Sequence, residues 1–143
     1  MENDIPMLQS IRKAAQMGRF GIETVLNETC SRPLRGALRS QLSEYEQLFS
    51  EADMLLKDRG AERKNIGPMA RLGAFMTAKM RVRSREDPAS AIAEMVVQGN
   101  TRGMIKSMSN MRSMGVLDPK VSCLSNRLLQ TEQANIDQMK QFL

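Results

Sequence analysis

The prolines are the feature that most constrains how this chain can fold. All five, at positions 6, 33, 68, 88 and 119, stand at the start of a stretch with helical periodicity. Proline fits the first turn of a helix, where its missing N–H is not needed, but it breaks a helix interior. Residues that typically cap a helix N-terminus precede four of the prolines: Asp4, Ser31, Asp87 and Asp118. The prolines therefore predict five helices.

The predicted helices cover about residues 6–30, 33–58, 68–84, 88–114 and 119–142. Composition agrees with an all-α fold, because aromatic residues make up only 3% and tryptophan is absent, whereas strands favour aromatic and β-branched side chains. No apolar run approaches the roughly 18 residues of a membrane span, and the N-terminus lacks the apolar segment of a signal peptide. We expect a single domain over residues 1–143, located in the cytoplasm and not in a membrane.

The lengths of the links predict how the helices are arranged. The first helix is joined to the second, and the fourth to the fifth, by only a few residues, which produces antiparallel hairpins. Residues 59–87 form a long basic connection that contains the short third helix. Two antiparallel hairpins joined by a long crossover are one form of the four-helix bundle. The alternative is a five-helix array with the third helix as a full member.

The fifth helix carries polar residues on its apolar stripe. Glu132 and Asn135 lie between Leu128 and Met139 at core positions. Burying a carboxylate without a partner costs several kcal/mol, so such a group needs hydrogen bonds, a cation or a metal. Comparable polar positions occur on the second and fourth helices: Gln41, Glu44, Glu94 and Gln98. Together they predict a polar layer shared by three helices.

Two hairpins with inward carboxylates at this spacing resemble the ferritin-like superfamily, whose di-iron members use Glu and Glu-x-x-His positions. The stretches "EQAN" (132–135) and "QLSE" (41–44) lie where those motifs would be, and "AEMVVQG" is similar to small uncharacterised bacterial members. The chain has no histidine. The resemblance therefore implies a ferritin-like four-helix bundle with a degenerate di-iron site. From the crossover layout and the polar core positions without histidine, we expect a non-enzymatic protein that acts through oligomerisation, as a homodimer, or through a protein partner.

Two interpretations of the polar layer remain open. It can be a hydrogen-bonded network that fixes helix register, with Arg102 or Arg127 as a candidate cation that reaches it. Alternatively, Glu44, Glu94 and Glu132 can form an all-oxygen site for a divalent metal ion, the one cofactor we consider. The absence of histidine, of a Gly-rich phosphate loop and of a nucleophile motif argues against an enzyme without excluding carboxylate chemistry.

The long connection concentrates positive charge. Its basic residues include Arg71, Lys79, Arg81, Arg83 and Arg85, with few acidic residues among them. Such a segment can be a solvated face, or it can contact phosphate backbones or acidic partners. No aromatic interleaving or nucleic-acid motif accompanies it. Nucleic acid is therefore the less favoured partner.

The fourth helix is apolar on two sides. One stripe contains Ile92, Met95, Gly99 and Gly103, and the two glycines predict close approach of a neighbouring helix. The opposite side carries Met104, Met108, Met111 and Met114, which predicts either core packing or contact with a second subunit. The two cysteines, Cys30 and Cys123, lack metal-ligand spacing and are expected to be buried thiols.

Overall fold

The computed structural model describes residues 1–29 and 31–143, and over these residues it contains helices and no strands. A 3₁₀ turn, Lys140–Phe142, follows the last α-helix. The α-helices are α1 (Asp4–Val25), α2 (Arg32–Asp58), α3 (Pro68–Arg83), α4 (Pro88–Met114) and α5 (Pro119–Met139). The all-α prediction is confirmed.

Three helices begin with the caps that the sequence predicts. In each case the side chain before the helix accepts a backbone N–H from its first turn, which satisfies a donor that has no partner inside the helix. The donors are Leu34 for Ser31 in α2, Ser90 for Asp87 in α4, and Lys120 for Asp118 in α5.

Asp4 behaves differently, and the prediction that it caps α1 is wrong. The helix begins at Asp4 itself, after Asn3, which makes no side-chain cap bond. The Asp4 carboxylate instead accepts the backbone N–H of Asp118 at 2.9 Å. Burial opposes the charge of Asp4, but this hydrogen bond and the nearby Arg59 hold its pKa below the usual range. The start of α1 is thereby tied to the start of α5.

The end of α1 and the state of the cysteines also differ from expectation. The helix ends at Val25 and not near residue 30. The prediction for Cys30 concerns a position outside the described residues. Cys123 is exposed on α5, so the prediction that it is a buried thiol is wrong.

Contacts along α1 establish the direction of its neighbours. Arg12, early in α1, donates to Asp53, late in α2, at 2.8 Å. Asn110, late in α4, donates to Ser10 of α1 at 2.8 Å. Since α1 meets the C-terminal parts of both helices near its own N-terminal part, α2 and α4 are antiparallel to α1.

The fifth helix runs with α1. Its N-cap Asp118 contacts Asp4 at the start of α1, and Gln138 near its end accepts a hydrogen bond from Gln41 near the start of α2 at 2.8 Å. Gly115 ends α4 with φ +68°, a conformation that favours glycine, and the chain then turns into α5. The second hairpin is therefore α4–α5.

The apolar core lies between the four long helices. A fully buried aliphatic side chain of this kind contributes about 1.5–3 kcal/mol. Each of the four long helices supplies at least one such side chain. Examples are Leu8, Ile11, Leu38, Leu48, Ile92 and Val121.

The long connection packs on the outside of this core. Arg12 donates to the carbonyl of Lys64 at 2.7 Å, and Gln16 accepts the N–H of Ile66 at 3.1 Å, so the segment before α3 is held against α1. Within Pro68–Arg83 only Val82 is buried. None of the helices in the described part of the chain is long and apolar enough to cross a membrane.

Candidate functional site: a buried polar cluster between α2, α4 and α5

Five polar side chains meet inside the protein, and we call them the polar cluster. Helix α2 contributes one, α4 two and α5 two, and each is at least nine-tenths buried. Their positions follow from helical spacing, because residues three, four or seven apart share a face. The members are Tyr45, Asn100, Ser107, Glu132 and Asn135.

Three members form a closed hydrogen-bonded triangle. Tyr45 Oη donates to Asn100 Oδ1 at 2.8 Å, and Asn135 Nδ2 lies 3.2 Å from both of these oxygens. Asn100 Nδ2 donates to the carbonyl of Val96 in its own helix at 2.8 Å. Because buried polar groups are costly when unpaired, the triangle fixes the relative register of α2, α4 and α5.

Glu132 has a weaker set of partners. Its side chain is in a residue only 3% exposed, and Ser107 Oγ donates to Oε1 at 2.9 Å. No cation pairs with it among the described residues, since Arg127 binds Glu51 instead. Burial raises the pKa of Glu132 to about 7, and the Ser107 hydrogen bond offsets this only in part. This carboxyl group therefore gains or loses its proton near neutral pH.

Tyr45 stays protonated under the same conditions. Burial, together with the charge of Glu132, raises its pKa to about 12 against the opposing effect of the Asn135 and Asn100 hydrogen bonds. The hydroxyl group thus remains a donor to Asn100 at neutral pH. The cluster can hold a proton at Glu132, whose carboxylate lies against Ser107 and Gly103 of α4.

Two glycines make the space for the cluster. A Cβ at Gly103 would lie 1.7 Å from Glu132 Oε2, and a Cβ at Gly18 would lie 2.5 Å from Cζ of Tyr45. By contrast, a Cβ at Gly99 would meet nothing within 4 Å. Of the two glycines predicted to allow close approach on α4, only Gly103 does so, and what it admits is the carboxylate of α5.

The structure places the predicted polar layer only in part. Glu132, Asn135 and Gln41 are buried, but Glu94 is half-buried and Gln98 is exposed on α4. Instead of entering the core, Glu94 forms ion pairs with Arg81 at 3.6 Å and with Arg85 at 3.2 Å. Gln98 accepts a hydrogen bond from Arg81 at 2.9 Å. The placement of Glu94 and Gln98 in the layer is thus corrected.

The three carboxylates proposed for a metal do not meet. Glu44 is half-exposed at a groove between α2 and α5, Glu94 faces α3, and Glu132 contacts Ser107. Within the described residues no group of three His, Cys, Asp or Glu side chains could hold a metal ion. The geometry therefore gives no support to a site built from this trio, and metal binding remains a prediction for experiment.

The arginines suggested as partners of the polar layer lie elsewhere. Arg102 is exposed on α4. Arg127 pairs with Glu51 and also donates to Gln47 at 3.3 Å. Glu132 therefore takes its hydrogen bond from a hydroxyl group and not from an arginine.

Sequence reasoning missed three members of the cluster. The sequence patterns do not single out Tyr45, Asn100 or Ser107 as polar core residues. The available signal was the spacing of Asn100, Gly103, Ser107 and Asn110, which places small and polar residues on one face of α4. That face, and not the one through Gly99, is turned towards α5.

The methionine side of α4 is only partly packed. Met111 and Met114 contact the hydrophobic core, and Met104 is half-buried. Met108 is 48% exposed. Core packing thus accounts for two of the four, and contact of this side with a second subunit stays a prediction.

The basic residues of the connection hold it to the core. Lys79 and Arg83 reach Glu28, in the turn after α1, at 3.4 and 3.3 Å. Burial opposes the charge of Glu28, but the hydrogen bonds from Arg83 and Lys79 outweigh it and hold its pKa below the usual value. Arg71 stacks over the Phe20 ring at 5.3 Å. The ion pairs of Lys79 and Arg83 anchor the C-terminal half of α3, whereas its N-terminal half lacks comparable ion pairs to the described residues.

Comparisons with protein-family models, with curated proteins and with solved structures found no match to this chain.

Proposed function

We propose that this protein is a non-catalytic, ferritin-like helical bundle that works by binding another protein through α3. The directions of the four long helices, with α1 and α5 pointing one way and α2 and α4 the other, and the outer position of the connection support the ferritin-like arrangement. A core carboxylate without histidine supports a degenerate di-iron site. The observation that carries the binding role is the exposed apolar side of α3.

We call this side the apolar face of α3. Its members are spaced by three and four residues and so share one side of the helix. Met69 is 83% exposed and Met80 69% exposed, although helices of this kind normally bury their apolar face. The face consists of Met69, Leu72, Met76 and Met80. A contiguous exposed apolar surface marks an interaction site, and flexible methionines suit the groove or face that receives a partner helix.

The charge around this face selects the chemistry of the partner. Residues 59–85 contain eight of the 21 basic residues of the chain but only one of its 16 acidic residues, Glu62. Glu28 and Glu94 compensate part of this charge. A second copy of the chain would bring like charges together, and nucleic acid would leave the apolar side chains without a contact. The fitting partner is an acidic amphipathic helix of another protein, encountered in the cytoplasm.

A designed peptide tests this proposal. The probe is a labelled helical peptide with leucine along one face and glutamate on the other, and its counterpart carries lysine in place of glutamate. Fluorescence anisotropy should show saturable binding of the glutamate peptide that weakens with added salt. The variant Leu72→Ser/Met76→Ser should bind it at least about tenfold more weakly, because each buried side chain contributes more than a factor of ten.

The control is Met54→Ser, which changes a methionine that is 60% exposed on α2. It should leave peptide affinity unchanged. Equal binding of the lysine peptide would contradict the proposal, as would binding of anionic vesicles or duplex RNA in the absence of binding to the glutamate peptide. Sedimentation of the chain alone tests the homodimer prediction separately.

A further inference from the structure

A polar groove runs between α2 and α5, on the side away from the contact between Glu132 and α4. It has a volume of about 530 Å³ and opens to solvent, a size typical of small-molecule sites. Helical spacing places Ser40, Gln41 and Glu44 on one face of α2. It likewise places Arg127, Thr131 and Asn135 on one face of α5. The residues that matter here are Ser40, Gln41, Glu44, Arg127, Thr131 and Asn135.

The groove contains a buried acceptor without a donor. Gln41 is only 2% exposed, and its Nε2 donates to Gln138 Oε1 at 2.8 Å. Its Oε1 is buried and has no hydrogen-bond partner among the described residues. A buried polar atom left unpaired is rare in proteins, so this oxygen still has the capacity to accept a hydrogen bond from a donor outside the chain.

The uncompensated charge of the groove is negative. Arg127 lines it, but its charge is neutralised by Glu51. Glu44 is half-buried and makes no ion pair with any described residue. A ligand that satisfies both Gln41 Oε1 and Glu44 must therefore be a cation that donates hydrogen bonds.

We propose that the α2–α5 groove binds a small primary ammonium ion, with the Glu44 carboxylate and Gln41 Oε1 as its acceptors. An ammonium group presents three N–H donors, which matches a carboxylate and an amide oxygen close together on one helix. A metal ion fits less well, because no group of three candidate ligands exists within the described residues. This site is independent of α3 and goes beyond the proposed function.

The structure also supplies a reporter for the bound state. Asn135 lines the groove and belongs to the polar cluster, where its Nδ2 lies 3.2 Å from Tyr45 Oη. Tyr45 is the only tyrosine of a chain without tryptophan, so the tyrosine emission of the whole protein comes from this residue. A ligand in the groove perturbs Asn135 and, through it, the environment of that hydroxyl group.

The test titrates the intact protein with 1,4-diaminobutane, using 1,4-butanediol as an uncharged probe of the same shape, at constant ionic strength. The diamine should change Tyr45 emission and the amide resonances of Gln41, Glu44 and Asn135 in a saturable manner, and the diol should not. Glu44→Gln should weaken diamine binding at least about tenfold, since it removes a charge-assisted hydrogen bond. Gln41→Leu should weaken it as well.

Glu46→Gln is the matched control, because Glu46 is exposed on the same helix outside this groove. It should bind the diamine as the unchanged protein does. The proposal is overturned if neither emission nor amide resonances saturate, if the diol acts like the diamine, or if Glu44→Gln retains full affinity. A response to Mg²⁺ or Mn²⁺ without one to the diamine also overturns it, because the site would then be a metal site.

Discussion

The polar cluster and α3 handle polar and apolar groups in opposite ways. In the cluster, polar side chains lie where apolar ones are expected, and each forms at least one hydrogen bond with a neighbouring helix. In α3, apolar side chains lie in solvent, and arginines at its C-terminal end hold the helix in place. The comparison teaches that the first region serves the specificity of the fold. The second region keeps apolar side chains exposed, so that they are available to bind a partner.

The largest effect on stability is expected at Gly18, because the rigid ring of Tyr45 occupies the space that a larger side chain would need. In Gly18→Ala the new methyl group would lie 2.5 Å from Tyr45 Cζ. The ring cannot move without breaking its hydrogen bond to Asn100, so we expect the free energy of unfolding to fall by about 3 kcal/mol. Urea denaturation measures this. Gly21→Ala on the same helix, where a Cβ meets nothing within 4 Å, should be neutral or stabilising, and equal losses in both variants would contradict the described packing.

The next effect concerns pH. The pKa of Glu132 is raised from about 4.5 to about 7, so between these values the folded state holds a proton that the unfolded state has lost. The free energy of unfolding should therefore decrease as pH rises from 5 to 7, by about 2 kcal/mol after allowance for solvent screening, and level off above.

Glu132→Gln should remove this pH dependence, because the amide cannot titrate. Glu46→Gln, at an exposed position of α2, should retain it. Thermal unfolding followed by circular dichroism at several pH values compares the three proteins. Below this window Asp4, Glu28 and Asp53, whose pKa values are lowered, act in the opposite sense, since the stability that they contribute is lost as acid protonates them. A slope that persists unchanged in Glu132→Gln would argue against a buried carboxyl group.

A smaller effect is expected at Gly103. A Cβ there would lie 1.7 Å from Glu132 Oε2, but this atom is the end of a flexible chain that can shift at the cost of its Ser107 hydrogen bond. We expect Gly103→Ala to lower the free energy of unfolding by about 1 kcal/mol. In the background Glu132→Ala the loss should disappear. Gly99→Ala, one turn away with an open surface, should stabilise the helix by about 0.5–1 kcal/mol.

The smallest effect on stability is expected in α3. Met76 is 54% exposed, so Met76→Ser should change the free energy of unfolding by less than about 0.5 kcal/mol. The same substitution should reduce binding of the acidic helical peptide. Marked destabilisation by Met76→Ser would show that the apolar face of α3 stabilises the fold and is not available to bind a partner.

The sequence predicted the helices well because their signals are local. Proline positions, N-caps such as Ser31 and Asp87, and helical periodicity act within a few residues, and the bounds of α2 and α4 lie within one residue of expectation. The burial of Glu132 and Asn135 follows from the same periodicity on α5. Their partners could not be deduced in this way, because a pattern along one helix does not specify which face of the next helix it meets.

Particular residues show where local reasoning ends. Glu94 carries the same charge as Glu132 and also lies on a half-apolar helix, yet Arg81 and Arg85 draw it to the surface. Asn100 and Ser107 enter the core because the rotation of α4 turns them towards α5. Helix rotation depends on packing against several neighbours at once, so these choices cannot be obtained from one segment.

By itself, the sequence determined an all-α chain of five helices, a basic crossover and a carboxylate at a core position without histidine to accompany it. Tertiary structure alone decided that this carboxylate faces Ser107 and Gly103, that Tyr45 joins the asparagines, and that Glu44 lines a separate groove. The reason is physical: capping and periodicity are properties of neighbouring residues, whereas hydrogen bonding and desolvation arise only when distant helices approach each other.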